Sequence, residues 1–176
     1  MTKIFSFPPI AANDAKVLIL GSMPGRKSLE KNQYYAHVQN CFWFIIEKLF
    51  EVNSVLEYHQ RLAILNNHKV ALWDVLKACQ RQGSLDSSIE SDSIIPNDFE
   101  NFLNQYSQIK HVFFNGAKAE QEYKKRVLPG LPIALKHLNY LRLPSTSPAH
   151  ASMNRLEKLK QWMVVKECLI SEDSQF

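Results

Sequence analysis

Strand-like and helix-like segments alternate four times along this chain, and this alternation constrains the fold more than any other feature of the sequence. Each predicted strand is a short, largely apolar run, and helical periodicity or a helix-start signal follows it. This order is typical of a mostly parallel sheet with helices on both faces. We therefore expect an α/β fold, a three-layer α/β/α sandwich around a central, mostly parallel four-stranded sheet. The strands are predicted over Lys16–Leu20, Lys69–Trp73, His111–Asn115 and Leu138–Leu143.

The helices are predicted from apolar residues at helical spacing and from capping residues. Ser152 is expected to cap the final helix, while the weak periodicity after Lys27 predicts no strong helix there. Without repeats or a flexible linker, the 176 residues are expected to form a single domain, 1–176. The earlier helices are predicted over Cys41–Phe50 and Val55–Leu65, from near Pro96 to about Tyr106, and over Gly116–Leu128.

Composition excludes several classes of protein. No apolar run is long enough to span a bilayer, and the N-terminal segment lacks the apolar stretch of a signal peptide, so a cytoplasmic location is expected. Three widely spaced cysteines and unpaired histidines provide no set of metal ligands, so no metal and no cofactor are predicted. A net charge of +4 permits an anionic partner such as nucleic acid.

Unusual residues follow the end of every predicted strand. The segments are "GSMPG" after the first strand, "WD" at the end of the second, "NGAKA" after the third and "PSTSPAHA" after the fourth. In open α/β sheets, ligands bind beyond the carboxyl ends of the strands. The four segments are therefore expected to form one site.

The first of these segments is close to a phosphate-binding loop, because the sequence from Gly21 reads G-x-x-x-x-R-K-S. Pro24 lacks the N–H that such a loop would point at phosphate, and Arg26 replaces the glycine that lets backbone approach the ligand. A nucleotide triphosphatase is therefore a disfavoured alternative. Asp74, its supposed magnesium ligand, has the alternative role of capping a helix over "VLKAC".

Several motifs resemble those of the uracil-DNA glycosylase superfamily. "LILGSMPG" with "YYAHVQNCFW" resembles its first motif, and "PSTSPAHA" resembles its second. "LWDV", "GSLD", "FNG" and "STSPA" are similar to the hypoxanthine-DNA glycosylase branch, and the resemblance extends from about Phe5 to Arg155. It implies a DNA repair hydrolase that removes a flipped-out deaminated base, most simply hypoxanthine, and leaves an abasic site without a lyase step.

The resemblance also implies roles for individual residues, with two departures from the superfamily pattern. Met23 stands where most members carry the Asn or Asp that orients the attacking water, and Ser145 stands where the uracil enzymes carry a catalytic His. Asn40 is therefore expected to hold the water, although it is also suited to cap the helix from Cys41. Asp74 is expected to read the base edge, either accepting an N–H as a carboxylate or donating when protonated.

The remaining candidates form two groups. The base pocket is predicted to contain Gly21, Ser22, Met23, Pro24, Tyr35 and Asn115, with Tyr35 as the stacking face. Contacts to DNA phosphates are predicted for Ser145, Thr146, Ser147 and His150, with Met153 or a neighbour as a wedge. Arg26, Lys27, Arg81 and Arg155 are further candidates for backbone contacts.

Structural alternatives exist for most of these residues: packing for Tyr35, a helix cap for Asn115, and a surface turn for the Ser/Pro segment. At the level of function, a damaged-DNA-binding protein without excision activity is the main alternative, ahead of the nucleotide hydrolase. The sequence does not rank hypoxanthine, xanthine and uracil as substrates. We expect the protein to be a monomer that associates with the nucleoid.

Overall fold

The computed structural model describes residues 3–52 and 55–174. Its strands are β1 Lys3–Phe5, β2 Val17–Gly21, β3 Val70–Asp74, β4 Leu76–Gln80, β5 Ile95–Pro96, β6 His111–Asn115 and β7 Asn139–Leu143. Its α-helices are α1 Arg26–Lys31, α2 Phe42–Leu49, α3 Tyr58–Asn67, α4 Phe99–Gln105, α5 Ala117–Glu122 and α6 Arg155–Asp173. No helix in the described ranges is long and apolar enough to cross a membrane.

The central sheet has the predicted composition. Its four strands lie in the order β3-β2-β6-β7, and all three neighbouring pairs are parallel. Every residue of β2 and β3 is buried, as expected for strands covered on both faces. The predicted α/β fold with a parallel four-stranded sheet is confirmed, with strand bounds that differ from the predicted ones by about one residue.

Two apolar cores, one on each face of the sheet, define the three layers. Val17 and Ile19 face the core that α2, α3 and α6 complete, where Trp162 is fully buried. Leu18 and Leu20 face the other core, which α4 and α5 cover. This alternation follows from the two-residue period of a strand, which sends neighbouring side chains to opposite faces.

A second, smaller sheet was not predicted. β4 pairs antiparallel with β1 and with β5, directly after the turn that follows β3. The alternative interpretation of "VLKAC" as a helix capped by Asp74 is therefore wrong. Leu76 and Ala78 are buried while Lys77 between them is exposed, which is the alternation of a strand.

Helix starts also differ from the predictions. Ser152 does not cap α6; the cap is Asn154, whose side chain accepts from the N–H groups of Leu156 and Glu157 in a capping box. A short helix, α1, does follow the Gly/Pro turn. The predicted helix near Pro96 begins later, because Pro96 belongs to β5 and Asp98 is the cap of α4.

The parallel register places the functional candidates. Gly21 at the end of β2 lies opposite Asp74 at the end of β3, and Asn115 at the end of β6 lies opposite Leu143. The carboxyl ends of all four parallel strands therefore meet at one edge of the sheet. The segments that follow these strands open onto that edge.

Candidate active site

A cavity of about 480 Å³ lies at the carboxyl edge of the sheet. It brings together every residue predicted for the site except Met153. The predicted residues that line it are Gly21, Ser22, Met23, Pro24, Tyr35, Asn40, Asp74, Asn115, Ser145, Thr146, Ser147 and His150. Met153 lies in the turn before α6, where its sulfur faces the Gln161 amide.

Close contacts around Gly21 form the floor of the cavity. A Cβ atom at this position would lie 2.5 Å from Asp74 Oδ1 and 2.9 Å from the Tyr35 hydroxyl oxygen. Such distances are too short for real contacts, so only glycine allows both polar groups to approach the strand end. The missing side chain thus allows a carboxyl and a phenol to meet at the same point.

Tyr35 is held in a specific orientation. Its ring stacks on Phe42 at 4.0 Å between centroids, and its φ of 53° lies in the left-handed region that non-glycine residues rarely adopt. The hydroxyl is buried and has no hydrogen-bond partner in the described residues. Burial, and secondly Asp74, raise the pKa of this hydroxyl, so it stays neutral.

Asp74 is the most perturbed acid of the cavity. Its side chain is buried, and Oδ2 has no hydrogen-bond partner in the described residues. Its pKa is raised to about 8, chiefly because burial removes the carboxylate from water and further because the Asp86 carboxylate is near; the Arg81 guanidinium acts in the opposite direction. At neutral pH the carboxyl is therefore mostly protonated and can donate a hydrogen bond.

Asp86 lines the cavity and was not among the predicted site residues. It lies in the short turn Asp86–Ser88, and both of its carboxylate oxygens are 2.8 Å from Ser22 Oγ, which donates to them. The signal was present in the sequence, since Asp86 ends the "GSLD" motif. The motif is part of the family resemblance, but no role was predicted for its residues.

Arg81, predicted as a DNA backbone contact, lies beneath the cavity instead. It is 6% exposed, and it donates from Nη2 to the Pro24 carbonyl at 2.6 Å and from Nε to the Gly83 carbonyl at 3.1 Å. Such burial does not suit a contact to DNA phosphate. Arg81 instead fixes the Gly/Pro turn and supplies positive charge behind Asp74 and Asp86.

The two ends of the Asn40 side-chain amide differ: the oxygen is hydrogen-bonded within the protein, and the nitrogen is left open. Its Oδ1 accepts from the Phe42 N–H at 3.0 Å, but α2 begins at Phe42 and its cap position is Cys41, so Asn40, predicted as the cap, lies one residue before that position. Its Nδ2 makes no hydrogen bond to the described residues. The bond to the Phe42 N–H therefore leaves the Nδ2 group open to a water or a substrate atom.

The Ser/Pro segment is anchored to the sheet at Thr146. Asn115 Nδ2 donates to Thr146 Oγ1 and Asn115 Oδ1 accepts from the Thr146 N–H, both at 2.9 Å. The Thr146 carbonyl accepts from the Cys41 N–H at 3.1 Å. Thr146 is therefore buried and committed to internal bonds, whereas the serines and His150 beside it are more open.

No group of three or more His, Cys, Asp or Glu side chains in the described ranges is arranged to hold a metal ion. The polar groups of the cavity are hydroxyls, amides and carboxyls that suit recognition and proton placement. With a flat aromatic ring and a neutral carboxyl on its walls, the cavity can hold a planar heterocycle.

Comparison with known proteins identifies the family. The model of the uracil DNA glycosylase superfamily matches residues 8–167, which is most of the chain. The chain belongs to the uracil DNA glycosylase superfamily. Two sequence relatives and a solved structure agree with this assignment.

Two curated relatives of this superfamily member are named hypoxanthine DNA glycosylase. That of Methanosarcina barkeri is 39% identical over 114 residues, covering 64% of this chain and 71% of the relative. That of Methanosarcina acetivorans is 33% identical over 160 residues, covering 90% of this chain and 95% of the relative. A solution NMR structure from Methanosarcina acetivorans, described as a candidate uracil DNA glycosylase, has a TM-score of 0.78 at 32% identity, covering 96% and 99% of the two chains.

Membership in the uracil DNA glycosylase superfamily gives the protein its activity. The protein is a DNA glycosylase, a hydrolase of N-glycosidic bonds, and DNA is its partner. Met23 lines the cavity with an apolar thioether, which can neither orient nor activate a water molecule.

Proposed function

We propose that this protein is a monofunctional hypoxanthine-DNA glycosylase that hydrolyses the N-glycosidic bond of a flipped-out deoxyinosine and leaves an abasic site. The observation that carries the proposal is the position of the Asp74 carboxyl, which is buried at the floor of the cavity together with the Tyr35 hydroxyl. Burial raises the pKa of Asp74 to about 8, which favours the neutral form at neutral pH. The names of the two curated relatives support the same substrate.

Hypoxanthine can be recognised by hydrogen bonds between one edge of the base and the Asp74 carboxyl. The base presents N1–H as a donor and O6 as an acceptor side by side. A protonated Asp74 offers a carbonyl oxygen to accept and an O–H to donate, so it complements this edge with two hydrogen bonds. Tyr35 would stack on the base, and its neutral hydroxyl is a further donor close to Asp74.

Bond cleavage leaves negative charge on the departing base and positive charge on the sugar. A neutral donor at O6 stabilises the departing base, whereas an ionised carboxylate would repel it. Asn40 is the proposed holder of the attacking water, with its open Nδ2 as the donor. Lys27 lines the cavity, but its ammonium is 2.8 Å from Glu30, so hydrolysis by water is favoured over attack by an amine.

Contacts to the DNA backbone are proposed for the mouth of the cavity. Ser145, Ser147 and His150 lie on the anchored Ser/Pro segment, where hydroxyl and imidazole groups can meet the phosphates flanking the flipped nucleotide. Met153 follows this segment outside the cavity, a position from which a wedge would act on the duplex. We propose that the enzyme acts as a monomer and, as a repair enzyme, with the nucleoid.

The proposal is tested with duplexes carrying one inosine, xanthine or uracil in a fixed sequence, incubated with the protein and a metal chelator and then cleaved with hot alkali. Strand scission at inosine is expected, because alkali cuts only at the abasic site that excision leaves. Tight binding without scission at any of the three bases would reject excision and favour a damaged-DNA-binding protein. Scission at uracil or xanthine in place of inosine would reject hypoxanthine as the principal substrate.

Substitution Asn40→Ala tests the water-holding role. We expect single-turnover excision to fall by about 100-fold or more, because the attacking water loses its positioning group while binding of the base is retained. Binding of inosine duplex, measured by fluorescence anisotropy, should change little. Asn104→Ala, an exposed asparagine on α4 away from the cavity, is the matched control. An Asn40→Ala variant with full excision would reject the role.

A further inference from the structure

We propose that Asp86 is a positioning residue of this active site, which keeps the neighbouring Asp74 in its neutral, hydrogen-bond-donating form. The inference rests on the proposed function, because a neutral Asp74 matters only if a keto base meets it. Asp86 itself is bonded to Ser22 and acts on the base through Asp74.

The first support is the way Asp86 is held. Ser22 is buried at the end of β2, and its hydroxyl donates to both oxygens of the Asp86 carboxylate at 2.8 Å. This bond joins positions 22 and 86, which are far apart in sequence, and holds the carboxylate beside Gly21, which lies opposite Asp74. Burial raises the pKa of Asp86, whereas the Ser22 hydroxyl donor and the Arg81 guanidinium act in the opposite direction and favour its ionised form.

The second support is the shortage of positive charge. Arg81 is the cation behind both carboxyls, and its Nε and Nη2 donate to backbone carbonyls while Nη1 has no partner in the described residues. One buried guanidinium therefore faces two carboxyl groups. Since two adjacent buried carboxylates repel each other, one of the pair keeps its proton.

The third support is the difference between the two carboxyls. Asp74 is buried and its Oδ2 lacks any hydrogen-bond partner in the described chain, whereas Asp86 is half-buried and accepts from Ser22. The proton therefore belongs on Asp74 and the charge on Asp86. Burial and the Asp86 carboxylate both raise the pKa of Asp74, in agreement with this assignment.

Other titratable groups around the pair do not reverse it. Tyr34 and Tyr35 face Asp74 as neutral hydroxyls, with pKa values that burial raises. Lys118 on α5 acts on Asp86 but is itself paired with Glu122 at 2.7 Å. The remaining ionisable groups on the cavity lining are Arg26, Lys27, His37 and His150.

The consequence is an alkaline limit on excision. Asp74 donates below its pKa of about 8 and repels the base oxygen above it, so the excision rate should fall as pH rises through that value. Removing the Asp86 charge should make Asp74 more acidic and move this fall to lower pH. A shift of about one pH unit is the scale for loss of a nearby like charge.

The experiment compares wild type with Asp86→Asn by two measurements. The first is single-turnover excision of inosine from pH 6 to about 10. The second is the titration of Asp74 followed by carboxyl ¹³C NMR, which requires no activity. Asp14→Asn is the matched control, because it removes the charge of an exposed carboxylate that does not line the cavity. In Asp74→Asn, whose amide does not titrate, the alkaline fall should disappear.

The results separate the two proposals. The inference is supported if Asp74 titrates near pH 8 in wild type, if Asp86→Asn lowers that midpoint and the alkaline limit together, and if Asp14→Asn leaves both in place. It is overturned if Asp86→Asn leaves the midpoint unchanged or if Asp74 is already ionised at pH 6. Absence of inosine excision by wild type, together with the predicted NMR shift, rejects the proposed reaction and supports the charge coupling.

Discussion

Gly21 shows how a single residue determines the geometry of the site. Any side chain there would overlap Asp74 Oδ1 and the Tyr35 hydroxyl, so the glycine is required by packing. Its φ is not in the left-handed region, and the requirement is therefore one of space rather than backbone conformation. The positions of Asp74 and of the Tyr35 hydroxyl thus both depend on one missing Cβ.

Substitution Gly21→Ala is expected to lower single-turnover excision of inosine by about 100-fold, because Asp74 and Tyr35 must both move away from the strand end. The thermal unfolding midpoint should fall only slightly, since the affected groups line a cavity. Gly130→Ala is the control, because a Cβ there meets nothing within 4 Å. Equal excision rates for the two variants would show that the Gly21 contact is not needed.

Individual site residues were predictable where they directly follow a parallel strand. Gly21, Asp74 and Asn115 end β2, β3 and β6, and the ends of parallel strands must meet, so their proximity follows from topology. Asp86 follows no parallel strand, and only a long-range bond to Ser22 brings it to the cavity. The neutral state of Asp74 was left open because burial and neighbouring charge depend on the folded chain.

At the scale of elements, the main surprise was the small antiparallel sheet. β4 begins two residues after β3 ends. Because this connection is so short, the sequence did not indicate that the chain leaves the parallel sheet there and enters a second one. Buried Leu76 and Ala78 alternate with Lys77, but a run of five residues does not separate strand from helix by periodicity alone. The four-stranded sheet was predictable because helices separate its strands along the chain.

The Ser/Pro segment gains its position from two elements rather than from its own sequence. Asn115 holds Thr146 by two hydrogen bonds, and Gly116, with φ of 94°, lets Ser145 approach within 2.9 Å of where a Cβ would be. The sequence of the segment by itself favoured a surface turn. The two hydrogen bonds from Asn115 show that it is anchored to the end of β6.

The start of α6 provides a stability test at this scale. Substitution Asn154→Ala removes the side chain that caps the helix and is expected to lower the free energy of unfolding by about 1 kcal/mol. Ser152→Ala, the residue first predicted as the cap, should change it by much less. Urea unfolding followed by circular dichroism measures both values. A larger loss in Ser152→Ala than in Asn154→Ala would contradict the capping assignment.

At the scale of the whole molecule, a parallel sheet and its connecting segments form one cavity. The strand ends provide Asp74 and Asn115, and the connecting segments bring Tyr35, Asn40 and Asp86 to the same edge of the sheet. The net charge of +4 attracts DNA without selecting a base. Selectivity is therefore assigned to the cavity and to the ease with which a mispaired base leaves the duplex.

The most direct test of this account is a crystal structure of the Asn40→Ala variant bound to a duplex with one deoxyinosine. We predict that the hypoxanthine is extrahelical, stacked on Tyr35, with N1 and O6 within hydrogen-bond distance of Asp74. A structure in which the base remains stacked in the duplex, or occupies a different surface while the cavity holds no base, would contradict the account.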